Sequence, residues 1–226
     1  MEQSVKLVAI TEGANELIGK NAQDIISYVA RVSNPNNQMS FETGPKLIKY
    51  CITHEHWSIF EHAYVTMEIK TSRGIAAQIL RHRSFTFQEF SQRYAKALDF
   101  VPYEARRQDA KNRQNSVDDM SEEDKKWFAQ KQGEIWDISN TAYGEALQRG
   151  IAKEQARFLL PINTATTIYM TGSVRSWIHY IGLRSGHGTQ REHAELAITR
   201  TPTSLCWWMR AIARRQASMV VTACLQ

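Results

Sequence analysis

The densest group of chemically active side chains lies in residues 81–94 and begins Arg81-His82-Arg83. Guanidinium groups bind phosphate, aromatic rings stack on a ring-shaped ligand, and hydroxyl, amide and carboxylate groups hydrogen-bond to its edge. The segment contains all of these groups within fourteen positions. Cations at the end of an apolar helix also complement the helix dipole, so a structural interpretation stays open. The mixture of residue types favours a site for a phosphorylated aromatic ligand.

Four blocks of the sequence resemble the flavin-dependent thymidylate synthases, in the order that this family shows. The signature RHR-x7-S is present at residues 81–91. Upstream, residues 56–62 are similar to the family's H-x-S-x-F-E-H segment, and residues 156–161 are similar to its A-R-x-x-L-P segment. The C-terminal block comprises 173–176, Leu183-Arg184, Gln190 and Glu192. Together the blocks extend along most of the chain, which makes the resemblance more specific than RHR alone.

The resemblance implies an enzyme that reductively methylates dUMP to dTMP. In this family 5,10-methylenetetrahydrofolate supplies the carbon, and NADPH supplies the reducing equivalents through bound FAD. The family's enzymes are homotetramers whose active sites form between subunits. The resemblance therefore implies dUMP and folate as substrates, FAD and NADPH as cofactors, and further copies of the chain as partners.

The matched motifs also imply roles for individual residues. The FAD site would be lined by Ser58, Arg81, His82, Arg83, Glu89, Ser173, Val174, Arg175 and His179. The nucleotide dUMP would be held by Gln78, Arg81, Glu89, Phe90, Ser91, Gln92, Arg93, Arg157 and Arg184. Arg184 matches the arginine thought to assist ionisation of the uracil N3, and would be catalytic. Ser173 stands where the family often has asparagine, and Thr189 stands where alanine is common.

The cysteines agree with a mechanism that uses no enzyme nucleophile. Carbon 5 of uracil is a poor nucleophile, and other thymidylate synthases activate it by adding a cysteine thiolate to the ring. Cys51 falls on the apolar stripe of a predicted helix, and neither Cys206 nor Cys224 has the His or Arg neighbour that activates a thiol. Arg184 against the ring would instead stabilise developing negative charge, while Arg93 and Arg157 would hold the 5′-phosphate.

Two other ligand motifs are disfavoured. Gly186-His187-Gly188 comes nearest to a dinucleotide-binding fingerprint, but it lacks the third glycine and follows no predicted strand. Arginine and histidine side chains would therefore meet the FAD pyrophosphate. His54, His56 and His62 could be read as a metal cluster, but their spacing fits neither H-E-x-x-H nor a cysteine-containing zinc site. We expect no metal.

The apolar pattern predicts one α+β domain over residues 1–226, with a central, largely antiparallel sheet flanked by helices. Residues 63–70 alternate as in a half-buried strand, and further strands are predicted at 5–11 and 164–171. Helices are predicted at 22–32, 44–53, 72–82, 121–149, 152–160, 173–183 and 190–213. Residues 85–94 are predicted to be a loop that leads into an extended segment, and 106–123 a surface excursion.

Core positions are predicted for the longest helix, 121–149, and for the tryptophans. Its apolar side chains should be Trp127, Ile135, Ile138, Ala142 and Leu147. Ser121 and Asp124 should form a capping box at its start. The tryptophans on predicted helices should lie in the core or in a subunit interface.

The charge is unevenly distributed and separates the competing functions. The formal net charge is +5, but it is +4 over 81–113, −4 over 114–149 and +6 over 150–226. The two basic segments hold the matched arginines, which favours nucleotide and cofactor phosphates over a polymer. A nucleic-acid-binding module stays the competing hypothesis, because arginines alternate with aromatics in 83–94. A metal-dependent nucleotide hydrolase is the third and weaker hypothesis.

Composition excludes several classes of protein. With 42% hydrophobic and 23% charged residues, the chain is neither disordered nor fibrous. No apolar run approaches the roughly 18 residues of a membrane helix, and residues 1–10 lack a signal-peptide core. Three unclustered cysteines fit a reducing compartment. We therefore expect a cytoplasmic enzyme that binds neither nucleic acid nor membrane.

Overall fold

The structure is a computed structural model, and it describes residues 1–96, 99–186 and 188–198. In chain order its strands and α-helices are β1 Ser4–Ile10, α1 Ala22–Ala30, α2 Gly44–Thr53, β2 Tyr64–Ser72, α3 Arg73–Ile79, β3 Thr86–Glu89, β4 Arg107–Gln108, β5 Ser116–Val117, α4 Glu122–Gln148, α5 Lys153–Ala156, β6 Ala165–Ser173, α6 Val174–Arg184 and α7 Arg191–Ile198. Short 3₁₀ helices lie at Asn15–Leu17, Pro35–Asn37, Phe41–Thr43, Ser58–His62 and Arg157–Leu159.

The central sheet is antiparallel throughout, with strand order β1-β2-β6-β3. The alternation predicted for 63–70 is confirmed, because Val65, Met67 and Ile69 are at most 2% exposed while their neighbours are not. β6 contributes Ile168 and Met170 to the same core. The predicted α+β class with an antiparallel sheet is therefore confirmed.

Two strand–helix units form the middle of the molecule: the β2–α3 unit, 64–79, and the β6–α6 unit, 165–184. Each strand ends in a serine whose side chain caps the following helix. Ser72 Oγ accepts from the backbone N–H of Ile75 at 3.3 Å, and Ser173 Oγ accepts from that of Ser176 at 3.2 Å. The predicted cap at Ser72 is confirmed.

The pairing of these two units determines where their helices meet. β2 and β6 are antiparallel, with Ser72 opposite Ala165 and Tyr64 opposite Ser173. The helices therefore begin at opposite ends of one ladder, and the residues that follow α3 reach the last turn of α6. This contact brings the Arg81-His82-Arg83 motif to Arg184, although they are about 100 positions apart.

One apolar cluster joins the sheet to its helices. It includes Ile26 of α1, Ile48 of α2, Ile79 of α3 and Ile178 of α6, each at most 2% exposed. Cys51 lies in the same cluster at 5% exposure, and burial raises the pKa of its thiol. The predicted burial of Cys51 is thus confirmed, while Cys206 and Cys224 lie outside the described residues.

The long helix α4 corrects the predicted core. Trp127, Ile135 and Ile138 are 53–72% exposed, and the buried side chains are Trp136, Tyr143 and Ala146. Tyr143 and Ala146 pack with Ala156, and Trp136 stacks on Phe100 at 5.3 Å between ring centroids. Leu147, which is also predicted, is partly buried against this cluster, and Ala142 is half-buried. The predicted core is therefore wrong at Trp127, Ile135 and Ile138. Gly150 ends the helix as predicted, with φ +81°.

The start of α4 carries only part of the predicted capping box. Ser121 Oγ accepts from the backbone N–H of Asp124 at 3.1 Å, as expected. The Asp124 carboxylate, however, accepts from the Ser121 hydroxyl at 2.6 Å, whereas a capping box requires it to accept from the Ser121 backbone N–H.

One further segment differs from its prediction, and another lies partly outside the described residues. The region predicted as a loop begins with β3, which pairs with β6 through Thr86–Glu89. Its alternating exposure is that of an edge strand, a pattern that the mixture of aromatic and polar residues concealed. Of the helix predicted at 190–213, α7 is described, and Trp207, Trp208 and Arg210 lie outside the described residues.

The surface excursion 106–123 is held against α7. It contains the β4–β5 hairpin. Arg106 pairs with Glu192 at 2.6 Å, both side chains being about 10% exposed, and Arg191 pairs with Asp118 at 3.0 Å. Among the described residues, no helix is both long enough and apolar enough to cross a membrane.

Candidate active site

The arginine predicted to be catalytic, Arg184, forms hydrogen bonds with a histidine side chain. Arg184, in the last turn of α6, donates from Nε and Nη2 to His82 Nε2 at 2.9 and 2.8 Å. His82 Nε2 therefore carries a lone pair, which requires a neutral ring with its proton on Nδ1. Burial and the Arg184 charge lower the pKa of His82 to about 4.

The charge on Arg184 is not neutralised by any described carboxylate. Burial lowers the pKa of Arg184, and the Arg81 guanidinium contributes to the lowering. Because His82 is neutral, Arg184 is held by a hydrogen bond rather than by an ion pair. Its positive charge stays available to an incoming anion.

Gln78 belongs to a buried chain of hydrogen bonds between α3 and α6. Gln78 Oε1 lies 3.3 Å from His193 Nδ1, and Tyr180 Oη lies 2.9 Å from His193 Nε2. The Tyr180 ring also packs edge-on against His82, with 4.8 Å between centroids. The predicted site residues Gln78, His82 and Arg184 are therefore joined through two residues that no motif marked.

A second group surrounds a cavity of about 280 Å³ at the start of α3. Arg73, Gln92 and Arg157 line it together with apolar residues. Gln92 is 6% exposed, and within the described part of the chain its Nε2 has no hydrogen-bond acceptor. A buried amide donor without a partner is costly, so this cavity suits a ligand that brings an acceptor.

The carboxylate of Glu89 is fixed beside this cavity. Arg73 Nη1 lies 2.7 Å from Glu89 Oε1, and Thr166 Oγ1 donates to the same oxygen at 2.9 Å. The Glu89 side chain is 17% exposed. Two donors on one oxygen leave the other oxygen of Glu89 available for a ligand.

The segment after β3 returns toward the same region. The Phe90 N–H donates to the Thr167 carbonyl at 2.8 Å, which continues the ladder by one residue. The chain then turns, and the Ser91 hydroxyl accepts from the Arg93 N–H at 3.4 Å. Arg93 is exposed and pairs with Glu154 at 3.1 Å.

The residues matched to flavin contacts mostly lie where the Ser58–His62 helix meets α6. Arg175 pairs with Glu61 at 3.0 Å, and the His179 ring lies 5.3 Å from that of Trp57. Ser58 and His179 are exposed. Ser173 and Val174 are at most 3% exposed, so they support this surface mainly from beneath.

Arg81 and Arg83 extend from the turn after α3. Both are exposed, and within the described residues neither forms an ion pair. Cations are favoured there because the C-terminal end of a helix carries partial negative charge. The structural interpretation of this motif and its ligand-binding interpretation are therefore compatible.

The histidines of 54–62 show no metal-binding arrangement. His54 stacks on Tyr50 with 3.9 Å between centroids, and its Nδ1 lies 2.9 Å from the Tyr50 carbonyl. No three His, Cys, Asp or Glu residues among those described are grouped so that they could hold a metal ion. His187, in the glycine-containing loop, lies outside the described residues.

Three residues of the site were missed by sequence reasoning: Arg73, Tyr180 and His193. Arg73 left a signal, because a cation in the first turn of a helix opposes the helix dipole and needs a local anion. Glu89 supplies that anion. No such signal marks Tyr180 or His193 in the sequence, since a single aromatic on a helix is ordinarily a core residue.

The comparisons with known proteins agree with the motifs. The family model described as "Thymidylate synthase complementing protein" matches residues 9–202. A "Probable flavin-dependent thymidylate synthase" of Paramecium bursaria Chlorella virus 1 is 56% identical over 86% of this chain and 90% of its own length. A "Flavin-dependent thymidylate synthase" of Synechocystis is 53% identical over the same shares.

Solved structures agree in fold. The UMP/dUMP methylase PolB from Streptomyces cacaoi, bound with 5-Br dUMP, superposes with a TM-score of 0.77 over 96% of this chain and 95% of that chain, at 23% identity. With 5-Br UMP the TM-score is 0.74 at 25% identity, over 98% and 94% of the two chains. The family match and the identities above 50% lead to one conclusion: this chain belongs to the flavin-dependent thymidylate synthase family, a family of methyltransferases.

Proposed function

We propose that this protein reductively methylates dUMP to dTMP, with 5,10-methylenetetrahydrofolate as carbon donor and NADPH as reductant through bound FAD. Family membership supports the reaction class, and the similar fold of PolB, a UMP/dUMP methylase, supports a uracil nucleotide. Transfer of a methylene group followed by its conversion to methyl requires two electrons. NADPH supplies them in this proposal.

The observation that carries the nucleotide assignment is the cavity at the start of α3. A nucleotide monophosphate brings phosphate oxygens, which accept from guanidinium and amide donors. Arg157 and Arg73 line the cavity, and the buried Gln92 Nε2 lacks an acceptor among the described residues. We assign the 5′-phosphate of dUMP to this cavity, with Ser91 and Arg93 at its edge.

Arg184 is assigned the catalytic role. Negative charge that develops on the uracil ring is stabilised by a cation that is already oriented. The bonds to the neutral His82 orient the guanidinium without cancelling its charge. Gln78, at the same junction, would hydrogen-bond to the nucleotide, while Phe90 and Glu89 would border it.

The donor set suits a flavin dinucleotide. FAD, when bound, supplies the redox chemistry of the reaction. Its pyrophosphate needs cationic partners, and Arg81 and Arg83 are exposed without described ion pairs. His82 sits between them, and Ser58, Glu89, Arg175 and His179 would provide hydrogen bonds, with Ser173 and Val174 beneath them.

The arrangement of these groups supports a homotetramer. Within one chain the candidate residues fall into three groups: the cavity, the α3–α6 junction and the Ser58–α6 surface. Two half-buried arginines and large exposed apolar residues, including Phe158 at 75% and Ile162 at 76%, line the cavity. We propose that neighbouring copies complete each active site across these surfaces.

The test is a dTMP-formation assay on the purified full-length protein with FAD, NADPH, methylenetetrahydrofolate and dUMP. Omission of NADPH, methylenetetrahydrofolate or dUMP should abolish dTMP formation, as should omission of FAD from protein stripped of its bound flavin. Arg184→Ala should retain flavin absorbance but lose at least about a hundredfold in kcat, as for removal of an oriented charge-stabilising group. Arg149→Ala, an exposed arginine outside the candidate groups, is the matched control. Protein that stays colourless with FAD, or a fully active Arg184→Ala variant, would overturn these assignments.

A further inference from the structure

The hydrogen-bond chain that joins α3, α7 and α6 has a direction: it starts at the buried carboxylate of Glu192 and passes through the exposed Gln190. Glu192 accepts from Arg106 at 2.6 Å and from Gln190 Nε2 at 3.0 Å. An ionised carboxylate can only accept, so the amide nitrogen of Gln190 must face Glu192. The Gln190 oxygen then faces Gln78, whose Nε2 donates to it at 2.7 Å.

The orientation of Gln190 determines that of Gln78. Amide oxygen and nitrogen are otherwise assigned by convention, but here the carboxylate removes the ambiguity. With its nitrogen facing Gln190, Gln78 presents Oε1 to His193 Nδ1 at 3.3 Å. Since an amide oxygen only accepts, His193 Nδ1 must carry the proton.

The tautomer of His193 determines the direction of its hydrogen bond with Tyr180. A neutral ring protonated on Nδ1 has a lone pair on Nε2, so the Tyr180 hydroxyl donates to it across 2.9 Å. His193 is 0% exposed. Burial, Arg184 and His82 lower the pKa of His193 to about 3, so the ring stays neutral in a neutral solution.

We propose that His193, held by Tyr180, is a positioning residue that fixes the amide orientation of Gln78 toward the nucleotide. This inference rests on the proposed function, because Gln78 is assigned there to dUMP. One N–H of Gln78 is used by Gln190 and one oxygen lone pair by His193. The remaining N–H and lone pair give Gln78 a single hydrogen-bonding pattern for a ligand.

The proposal also gives the surface excursion a role. Arg106 belongs to the 106–123 segment and holds the Glu192 carboxylate that starts the chain. The excursion therefore acts on Gln78 through three side chains without reaching the nucleotide. If the Arg106–Glu192 pair only anchored the excursion to the rest of the fold, breaking it would not change the affinity for the nucleotide.

The test compares substitutions that differ in which histidine nitrogen they replace. The amide nitrogen of asparagine stands near the position of Nδ1, whereas that of glutamine stands near Nε2. His193→Asn should keep the donor to Gln78 and stay within about threefold of wild type in the dissociation constant for dUMP. His193→Gln and His193→Phe should weaken dUMP binding about tenfold, the value of one hydrogen bond of ordinary strength. Flavin content should be unchanged in all three.

The matched control is Ser27→Ala. It removes the hydrogen bond that the buried Ser27 hydroxyl donates within α1, and Ser27 is not part of the hydrogen-bond chain through Gln78 and His193. It should lower thermal stability without changing dUMP affinity. Equal dUMP affinity in wild type and His193→Phe would overturn the inference. Absence of dUMP binding in the wild type would instead refute the proposed function.

A second measurement determines the tautomer of His193 in the wild-type protein. In wild-type protein with ¹⁵N-labelled histidine, two of the seven histidines, His82 and His193, should show a ring protonated on Nδ1 and nearly unchanged between about pH 5 and pH 8, and the His193 signal is identified by its loss in a variant. The His193 signal should be absent from the His193→Asn variant. A His193 protonated on Nε2 would overturn the inference even if every substituted protein failed to fold.

Discussion

The β2–α3 unit and the β6–α6 unit use the same local device at the start of their helices, with different results. Each helix has an arginine in its first turn paired with a glutamate from another segment. Arg73 and Glu89 lie 2.7 Å apart, and Glu89 is 17% exposed. Arg175 and Glu61 lie 3.0 Å apart, and both are more than 40% exposed. Arg73 of the first pair lines a cavity and is held there by Glu89 of β3, which returns beside β6, whereas the second pair stays at the surface.

The residue before each capping serine differs as well. In the β2–α3 unit it is Thr71, which is fully buried and accepts from Gln3 Nε2 at 2.7 Å. In the β6–α6 unit it is Gly172, where a Cβ would lie only 2.5 Å from the Phe85 ring. Phe85 follows the Arg81-His82-Arg83 turn after one intervening residue, Ser84. The absence of a side chain on β6 therefore allows that turn to pack against the sheet.

The largest expected effect concerns the junction between the two units and depends on pH. The unfolded chain protonates His193 near its ordinary pKa of 6.5, whereas the folded chain does so only near 3. Stability from this group is complete above pH 6.5 and is lost as the pH falls toward 3. We expect the free energy of unfolding to fall by about 1.4 kcal/mol per pH unit in this window, and so by about 3 kcal/mol over two units.

Urea denaturation of wild type and His193→Gln at several pH values measures this contribution. The difference between the two curves gives the contribution of His193, including its coupling to His82, because the carboxylates that also titrate are common to both proteins. The variant should show a shallower pH dependence. Parallel curves would mean that His193 does not stay neutral in the folded protein.

The next effect tests the glycine that distinguishes the units. Gly172→Ala should destabilise the protein by about 1–3 kcal/mol, since the new methyl group displaces the Phe85 ring from a packed core. Gly133→Ala on α4 is the control: nothing lies within 4 Å of its Cβ position, and we expect a gain of about 0.5–1 kcal/mol. Thermal and urea denaturation measure both. A neutral Gly172→Ala variant would show that Phe85 can move at no cost.

A third comparison concerns the arginine pairs. Arg73→Ala leaves the poorly exposed Glu89 with only Thr166 as a described donor, and should cost about 1–2 kcal/mol in ligand-free protein. Arg175→Ala breaks an exposed pair and should cost about 0.5 kcal/mol or less. Chemical denaturation without nucleotide or FAD separates these effects from ligand binding. Equal losses would remove the distinction between the two pairs.

The smallest effect concerns the capping serines. Ser173→Ala should cost about 0.5–1 kcal/mol, which is typical for loss of a helix N-cap. Ser72→Ala should cost about 1–2 kcal/mol, because Ser72 also hydrogen-bonds to the Tyr103 hydroxyl, whereas the second contact of Ser173, with the Ser176 hydroxyl, is long at 3.2 Å. Thermal unfolding of the two variants under identical conditions measures the difference. A greater loss from Ser173→Ala would reverse the ranking of the two caps.

Local patterns predicted much of this fold and less of the site. Alternation in 63–70, the cap at Ser72 and the stop at Gly150 were readable because each depends on neighbouring residues. The buried face of α4 was not, since the Trp136 contact with Phe100 joins distant segments. The motifs identified Gln78, His82 and Arg184 but not their contacts. Tyr180 and His193 matter through distances across α6 and α7, which no sequence spacing encodes.

The β2–β6 ladder at the centre of both units has a consequence for how the protein folds. The Thr66 and Thr171 hydroxyls, which meet at 2.9 Å, are 105 residues apart in the chain. Contacts of such long range form late, because a large loop must close before they contribute. During synthesis β2 emerges long before its partner, with Val65, Met67 and Ile69 uncovered. β1 precedes β2 and can pair with one of its edges, but the edge that pairs with β6 stays open. Chains truncated before residue 165 should therefore aggregate through this open edge of β2, rather than accumulate as a folded N-terminal half.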